Sequence, residues 1–171
     1  MQNKNYTLLN KGFTLIEILV VMGMIAVLAV IVLIAINPAR QFAQSRNTQR
    51  TSNVNAILNA IGQRVADNKG VFPGSGCTDI PSSAVSEVTA VRMGEKTNQS
   101  YYDIAECLVP TYITSMPFDP STTTPTTASW ATDDDYDTGY SVYRDTSGRV
   151  TVCAMTVEPA LAGTGPICIT R

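Results

Sequence analysis

Apolar residues gather at one end of this chain. From Phe13 to Ile36 there are 24 residues whose only charge is Glu17, and the 19 from Ile18 to Ile36 carry none. At about 1.5 Å per residue a helix of that length reaches roughly 36 Å, enough to cross a hydrocarbon core of about 30 Å with some tilt. Asn37-Pro38 then breaks the helix, because proline lacks an amide hydrogen and clashes with the preceding turn, at about 3 kcal/mol. Beyond the break, Val54, Ile57, Leu58, Ile61 and Val65 recur at helical spacing. They predict an amphipathic helix with one buried face and with Arg46, Arg50 and Arg64 on its polar side, solvated or beside acidic neighbours. Lys69-Gly70 supplies a basic last turn and a glycine stop. Residues 13 to about 68 thus read as a helix in two halves.

The remainder alternates instead. Phe72-Pro73-Gly74 marks a turn, and a short helix is expected near Tyr101 to Leu108. Gly139–Arg144 and Arg149–Val157 show period-two alternation across Asp145-Thr146-Ser147-Gly148, which predicts a hairpin. A last short strand, Ile167-Cys168-Ile169, follows the loop from Pro159 to Pro166. The expected class is α+β, with one helix on a small antiparallel sheet of three or four strands. Ser121 to Ser129 is polar and low in complexity, which predicts an exposed loop, with O-glycosylation as the sharper alternative. Asn98-Gln99-Ser100 fits an N-glycosylation sequon.

Composition narrows the function. With 171 residues, 44% hydrophobic and 15% charged, the chain is neither a polar disordered tail nor a polytopic membrane protein, but one domain plus one special segment. The net charge of −2 hides a split: residues 1–69 hold seven Lys or Arg and two acids, a net +5, and the rest hold five basic and twelve acidic residues, a net −7. An acidic head repels phosphate, so direct nucleic-acid binding is not expected. Histidine is absent, which removes Ser-His and Cys-His nucleophile systems, and no catalytic constellation stands in their place. The chain is not expected to be an enzyme. Four cysteines, Cys77, Cys107, Cys153 and Cys168, lie outside the apolar run and form no CxxC. An even count in a membrane-anchored chain points to disulfides in an oxidising compartment; three pairings are open, and the local ones, Cys77 with Cys107 and Cys153 with Cys168, are expected. Asp133, Asp134, Asp135 and Asp137 form a calcium candidate, although Thr138 and Arg144 stand where an EF-hand needs glycine and glutamate, so a solvated acidic loop is the default.

Residues 1–12 are polar with two lysines, and no A-x-A cleavage site follows the apolar run. The segment is therefore either an ordinary anchor or is cut before it begins, at Gly12. Lys11-Gly12-Phe13-Thr14-Leu15-Ile16-Glu17, placed directly before a spanning segment, closely resembles the type IV pilin and pseudopilin family. That resemblance implies cleavage between Gly12 and Phe13 by a prepilin peptidase and methylation of the new Phe13 amine. It divides the chain into a leader (1–12), a membrane and fibre-core helix (13–36), an amphipathic helix packed on the head (37–69) and an extracytoplasmic head (70–171) with the pilin fold. It further implies a homo-oligomeric helical filament built from the membrane with an inner-membrane platform protein and an assembly ATPase. Leu108 to Pro120, through Tyr112 and Met116-Pro117-Phe118-Asp119-Pro120, resembles the segment leading into the sheet of pseudopilins and many pilins. A Cys153–Cys168 pair would resemble the C-terminal disulfide loop of pilins.

Glu17 stands out on physical grounds as well. An ionisable group in an apolar span costs about 2.5–3.5 kcal/mol, so it needs a partner. Cleavage places a cationic amine on Phe13, one turn away, and the resemblance assigns this pairing to docking of an incoming subunit. Lys4 and Lys11 face Arg40, Arg46 and Arg50 across the span, so charge counting leaves orientation open. The cysteines and the resemblance put the head outside. The expected history is a single-pass cytoplasmic-membrane protein that becomes part of a surface filament. The main alternative is a pseudopilin of a type II secretion or DNA-uptake system, and the remote one is a membrane-anchored binding module.

Overall fold

The structure, a computed structural model, describes residues 12–74, 76–82, 90–95, 100–121, 128–156, 158, 161 and 165–171. Residues 1–11 of the expected leader, Asn98 and Gln99 of the sequon, and residues 122–127 of the low-complexity run lie outside them. The chain divides into two compact units, Met1–Pro38 and Ala39–Arg171.

The first unit holds helix α1, Leu15–Ala35. Its end is set by Ile36, which is extended but still donates its N–H to Val32 O. Asn37 follows, and Pro38 opens helix α2, Pro38–Asp67. A proline at the first helical position gives up only an amide that would have had no intrahelical acceptor. The residue that stops one helix register therefore starts the next.

In the second unit, α2 buries Val54, Ile57, Leu58 and Ile61, and Val65 packs at the edge of the same core. Burial begins earlier, at Ala43. The helix ends with both Lys69 and Gly70 at positive φ, and Gly70 donates its N–H to Val65 O at 2.8 Å. Two of the three arginines placed on the polar side are buried: Arg50 is fully enclosed and Arg64 nearly so. Arg64 resolves its burial by donating to the carbonyls of Phe72, Gly74 and Cys107 at 2.8–3.0 Å.

The sheet has five strands, more than the sequence pattern predicts: β1 (Val91–Glu95), β2 (Ser129–Thr132), β3 (Asp135–Arg144), β4 (Val150–Ala154) and β5 (Ile167–Thr170). All pairings are antiparallel, in the order β1-β3-β4-β5, with β2 beside the first residues of β3. Strands β1 and β2 escape the alternation test because they are short and mixed. β1 reads Val-Arg-Met-Gly-Glu, and its Gly94 is where the backbone of β3 comes close: a Cβ there would lie 2.8 Å from Tyr101 Cδ2 and 2.9 Å from Tyr136 O. β3 starts four residues before Gly139, which sits inside it at φ +76° near an irregularity in register. β4 stops at Ala154, short of Val157. The hairpin turn at 145–149 is held by Asp145 Oδ1, which accepts from the N–H groups of Ser147 and Arg149.

A short helix α3 (Ala105–Leu108) completes the core with Phe72, Met93, Ile104, Met116, Tyr136, Tyr140 and Val152. Two disulfides staple it. Cys77–Cys107 ties the loop after α2 to α3, and Cys153–Cys168 joins facing residues of β4 and β5 with Cα atoms 4.1 Å apart. Val150 and Arg171 exchange both N–H···O bonds, so by alternation along the ladder Cys153 and Cys168 occupy a non-hydrogen-bonded pair, the closer kind. The architecture is α+β, the pilin arrangement of a long apolar N-terminal helix followed by a small antiparallel sheet.

Candidate assembly site

The charged start of α1 is built locally. Thr14, extended at φ −81°, is the N-cap, and its hydroxyl accepts from Glu17 N at 3.3 Å. Glu17 reaches back: its Oε2 accepts from Thr14 N at 3.2 Å and Thr14 Oγ1 at 3.1 Å. This is a capping box, in which a Thr and a Glu three residues on satisfy each other's orphan backbone donors. Thr14-x-x-Glu17 carries that signature in the residues themselves, although the charge argument singles out the glutamate alone. The carboxylate also sits at the positive end of the helix dipole. Phe13 and Gly12 precede the cap and are exposed.

From there α1 offers nothing but apolar surface. Residues Leu15–Ile34 have the length and composition to cross a membrane, and none is buried. Leu15, Leu19, Met22, Val27, Leu33 and Ile34 are each at least 60% exposed. Such a surface needs lipid or neighbouring helices around it.

The second charged constellation joins α2 to the head, and nothing in the sequence pattern singles it out. Arg50 donates from Nε and Nη2 to Asp119 at 2.9 and 3.1 Å, and its Nη1 lies 2.8 Å from Glu158 Oε1. Arg46, one turn earlier, grips Glu158 bidentately at 2.7 and 2.6 Å. Ser121 adds a backbone and a hydroxyl bond to Asp119 at 2.8 and 2.6 Å. The hydrogen bonds from Arg46 outweigh desolvation and, with Arg50, hold the Glu158 carboxyl down to about 2. Burial pushes Asp119 upward, but Arg50 and Ser121 more than reverse it and leave it below its ordinary value. Asp119 is the acid of the Met-Pro-Phe-Asp-Pro segment, so that segment supplies the counter-ion of α2.

The acidic run 133–137 does not act as a unit. Asp133 and Asp134 form an exposed turn, whereas Asp135 and Asp137 belong to β3. Asp137 is buried and held by Arg92 at 2.7 and 2.9 Å, with Gly139 N–H at 3.0 Å. The expectation of one solvated acidic loop is therefore corrected: Asp137 lies in the continuously buried stretch of β3, where Arg92 from β1 compensates it. Among the described residues no three His, Cys, Asp or Glu side chains converge as metal ligands.

Residues 8–33 match the family model of the prokaryotic N-terminal methylation motif. The chain carries the signature of type IV pilins and pseudopilins. The pilin-type match covers the capping box, Phe13 and most of α1, and it marks a structural protein made as a membrane-anchored precursor, processed by prepilin peptidase and assembled into filaments. No curated protein and no solved structure matches the chain.

Proposed function

We propose that this chain is the structural subunit of an extracellular type IV pilus-like filament, cut between Gly12 and Phe13, methylated on Phe13 and polymerised through α1. The observation that carries the reading is a helix long enough to span a bilayer, with no apolar face of its own covered, that begins with a carboxylate at its third position. In lipid, neighbouring helices gain little from hydrophobic burial, so packing and a specific polar contact decide assembly. Glu17 is the group for that contact, and the Phe13 amine of a neighbouring subunit is its partner. The inner-membrane platform and assembly ATPase act on the α1 end, and the disulfide-stapled head faces the oxidising side.

Mass spectrometry of protein sheared from cells of the native host tests this. A mature chain starting at N-methyl-Phe13 is expected; a chain that retains residues 1–12 in the sheared fraction overturns the reading. A pseudopilin of a type II secretion or DNA-uptake system is the second reading, favoured by the Leu108–Pro120 segment. Long surface filaments that disappear on deletion of this chain choose the pilus.

A further inference from the structure

The two disulfides are aligned by different means. Cys153 and Cys168 face each other across the β4–β5 ladder, so strand pairing alone brings them together. Cys77 and Cys107 have no such ladder between them. Cys77 lies in a loop whose bridge is local: Gly74 and Cys77 exchange both N–H···O bonds, at 3.0 and 3.2 Å. Cys107 sits on α3, a helix of four residues. The two cysteines are 30 residues apart, and closing a loop of that length has an entropic cost that the fold must offset.

Arg64 spans that gap. It stands in the last turn of α2 and is buried. Its Nη2 donates to Gly74 O at 2.9 Å, the same carbonyl that accepts from Cys77 N–H, and its Nη1 donates to Cys107 O at 2.8 Å. Its Nε donates to Phe72 O at 3.0 Å, and the guanidinium carbon lies 5.4 Å from the centre of the Phe72 ring. Between residues 72–78 and 102–108 the one direct hydrogen bond among the described residues is from the Tyr102 hydroxyl to Thr78 O, at 3.0 Å. A single planar fork thus fixes both cysteine-bearing segments to α2, a geometry that arginine supplies with its rigid set of donors and a lysine ammonium does not. A buried cation held only by neutral carbonyls is a costly way to end a helix. What it secures, and a shorter neutral side chain would not, is a simultaneous grip on both segments.

We propose that Arg64 is the positioning residue for closure of the Cys77–Cys107 bond, holding the two thiol-bearing segments together before the sulfurs are joined. Closure is thiol–disulfide exchange with a disulfide-bearing oxidant. One cysteine thiolate attacks the oxidant, breaking its S–S bond and forming a mixed disulfide. The second thiolate attacks that mixed disulfide, forms Cys77–Cys107 and releases the oxidant as a dithiol. Two electrons and two protons pass from the protein to the oxidant. Arg64 exchanges no atom in these steps; it raises the effective concentration of one thiol at the other. The coupling is reciprocal, so the closed bond in turn strengthens the grip of Arg64 on the two carbonyls.

The test equilibrates the full chain, in detergent micelles, with mixtures of reduced and oxidised dithiothreitol. Samples are quenched with acid, free thiols are alkylated, and each cysteine pair is read separately by peptide mass spectrometry. Arg64→Met is expected to lower the equilibrium constant for Cys77–Cys107 by about tenfold or more, the equivalent of roughly 1.4 kcal/mol, and to leave that for Cys153–Cys168 unchanged. Arg64→Lys keeps the charge and a long stem without the fork, so it should give a smaller fall at the same pair, and it carries the test if the methionine variant does not fold. Arg50→Met is the control. It lies 14 residues earlier on α2, about 21 Å away along the helix, and weakens the head through a different cluster, so the ratio of the two constants should keep its wild-type value. Equal falls at both disulfides in the Arg64 variants overturn the proposal, since they report a general loss of stability. An unchanged Cys77–Cys107 constant in Arg64→Met, or in Arg64→Lys where that variant stands alone, overturns it too, as does a ratio that shifts equally with Arg50→Met.

Discussion

Replacing Arg50 with methionine tests the charge cluster most directly. The side chain is similar in length, so α2 keeps its packing volume, but two carboxylates lose their shared cation. Asp119 and Glu158 are only 4% and 6% exposed. Glu158 retains its bidentate grip from Arg46, whereas Asp119 is left with the two bonds from Ser121. Removing one member of a buried ion pair costs about 3–5 kcal/mol. Against a total of roughly 5–15 kcal/mol for a domain, that is a large fraction. At about 3–5 °C per kcal/mol for a unit of this size, Tm should fall by about 10–20 °C. The assay is thermal unfolding of the full chain in detergent micelles, followed by the fluorescence of Trp130, the one tryptophan, whose ring lies 5.3 Å from that of Tyr136 in the head. The double variant Arg50→Met/Asp119→Asn removes the stranded charge while preserving size and the acceptor for Ser121. It should regain at least about half of the loss, since most of the cost is an uncompensated charge and not a missing contact. A single variant that loses less than about 1 kcal/mol, or a double that is additive with the Asp119→Asn single, would falsify the account.

The same cluster sets a pH window. Asp119 and Glu158 are both held below their ordinary values, Glu158 at about 2. Their contribution is therefore complete above the unfolded carboxylate range and is lost as pH falls toward 2. Trp130-detected Tm should be flat from about pH 5 to 7 and drop between about pH 4.5 and 2; a loss of stability that began near neutrality would contradict the assignment. Gly94→Ala should destabilise the head by more than about 1 kcal/mol, because the new Cβ meets Tyr101 and the Tyr136 carbonyl, whereas Gly62→Ala should be neutral or stabilising; comparable urea midpoints for the two would refute the packing argument. Glu17→Leu should leave processing of Phe13 intact and abolish efficient incorporation into filaments, measured as the sheared fraction by immunoblot. Unchanged incorporation would remove Glu17 from docking.

Several elements are legible in the residues because their signals are local. The span is a run of apolar side chains, Pro38 marks the boundary between helices by its own covalent geometry, and the Val54–Val65 periodicity names the face that α2 buries. The hairpin at 145–149 needs only neighbouring residues. Thr14 and Glu17 are equally local, since a capping box spans a single turn. The short strands β1 and β2 are not legible. Arg92, Gly94 and Glu95 look like loop residues until Asp137 and Tyr136 arrive from more than 40 positions away.

The arginines show the same division. By residue type Arg46, Arg50 and Arg64 read as the polar side of α2 and predict water or acidic neighbours, yet Arg50, four residues before Val54, and Arg64, three after Ile61, share the buried face. Asp119 and Glu158, 69 and 108 residues beyond Arg50, bring carboxylates to it, and burial is tolerated only because all the charges are matched at once. The sequence by itself determined that this chain has a membrane-length apolar helix, a cleavage and methylation motif before it, and a single carboxylate to explain. Only the tertiary structure decided that Asp119 serves α2 and that Arg92 compensates Asp137. Those facts depend on distances between segments far apart in the chain, which no local pattern encodes.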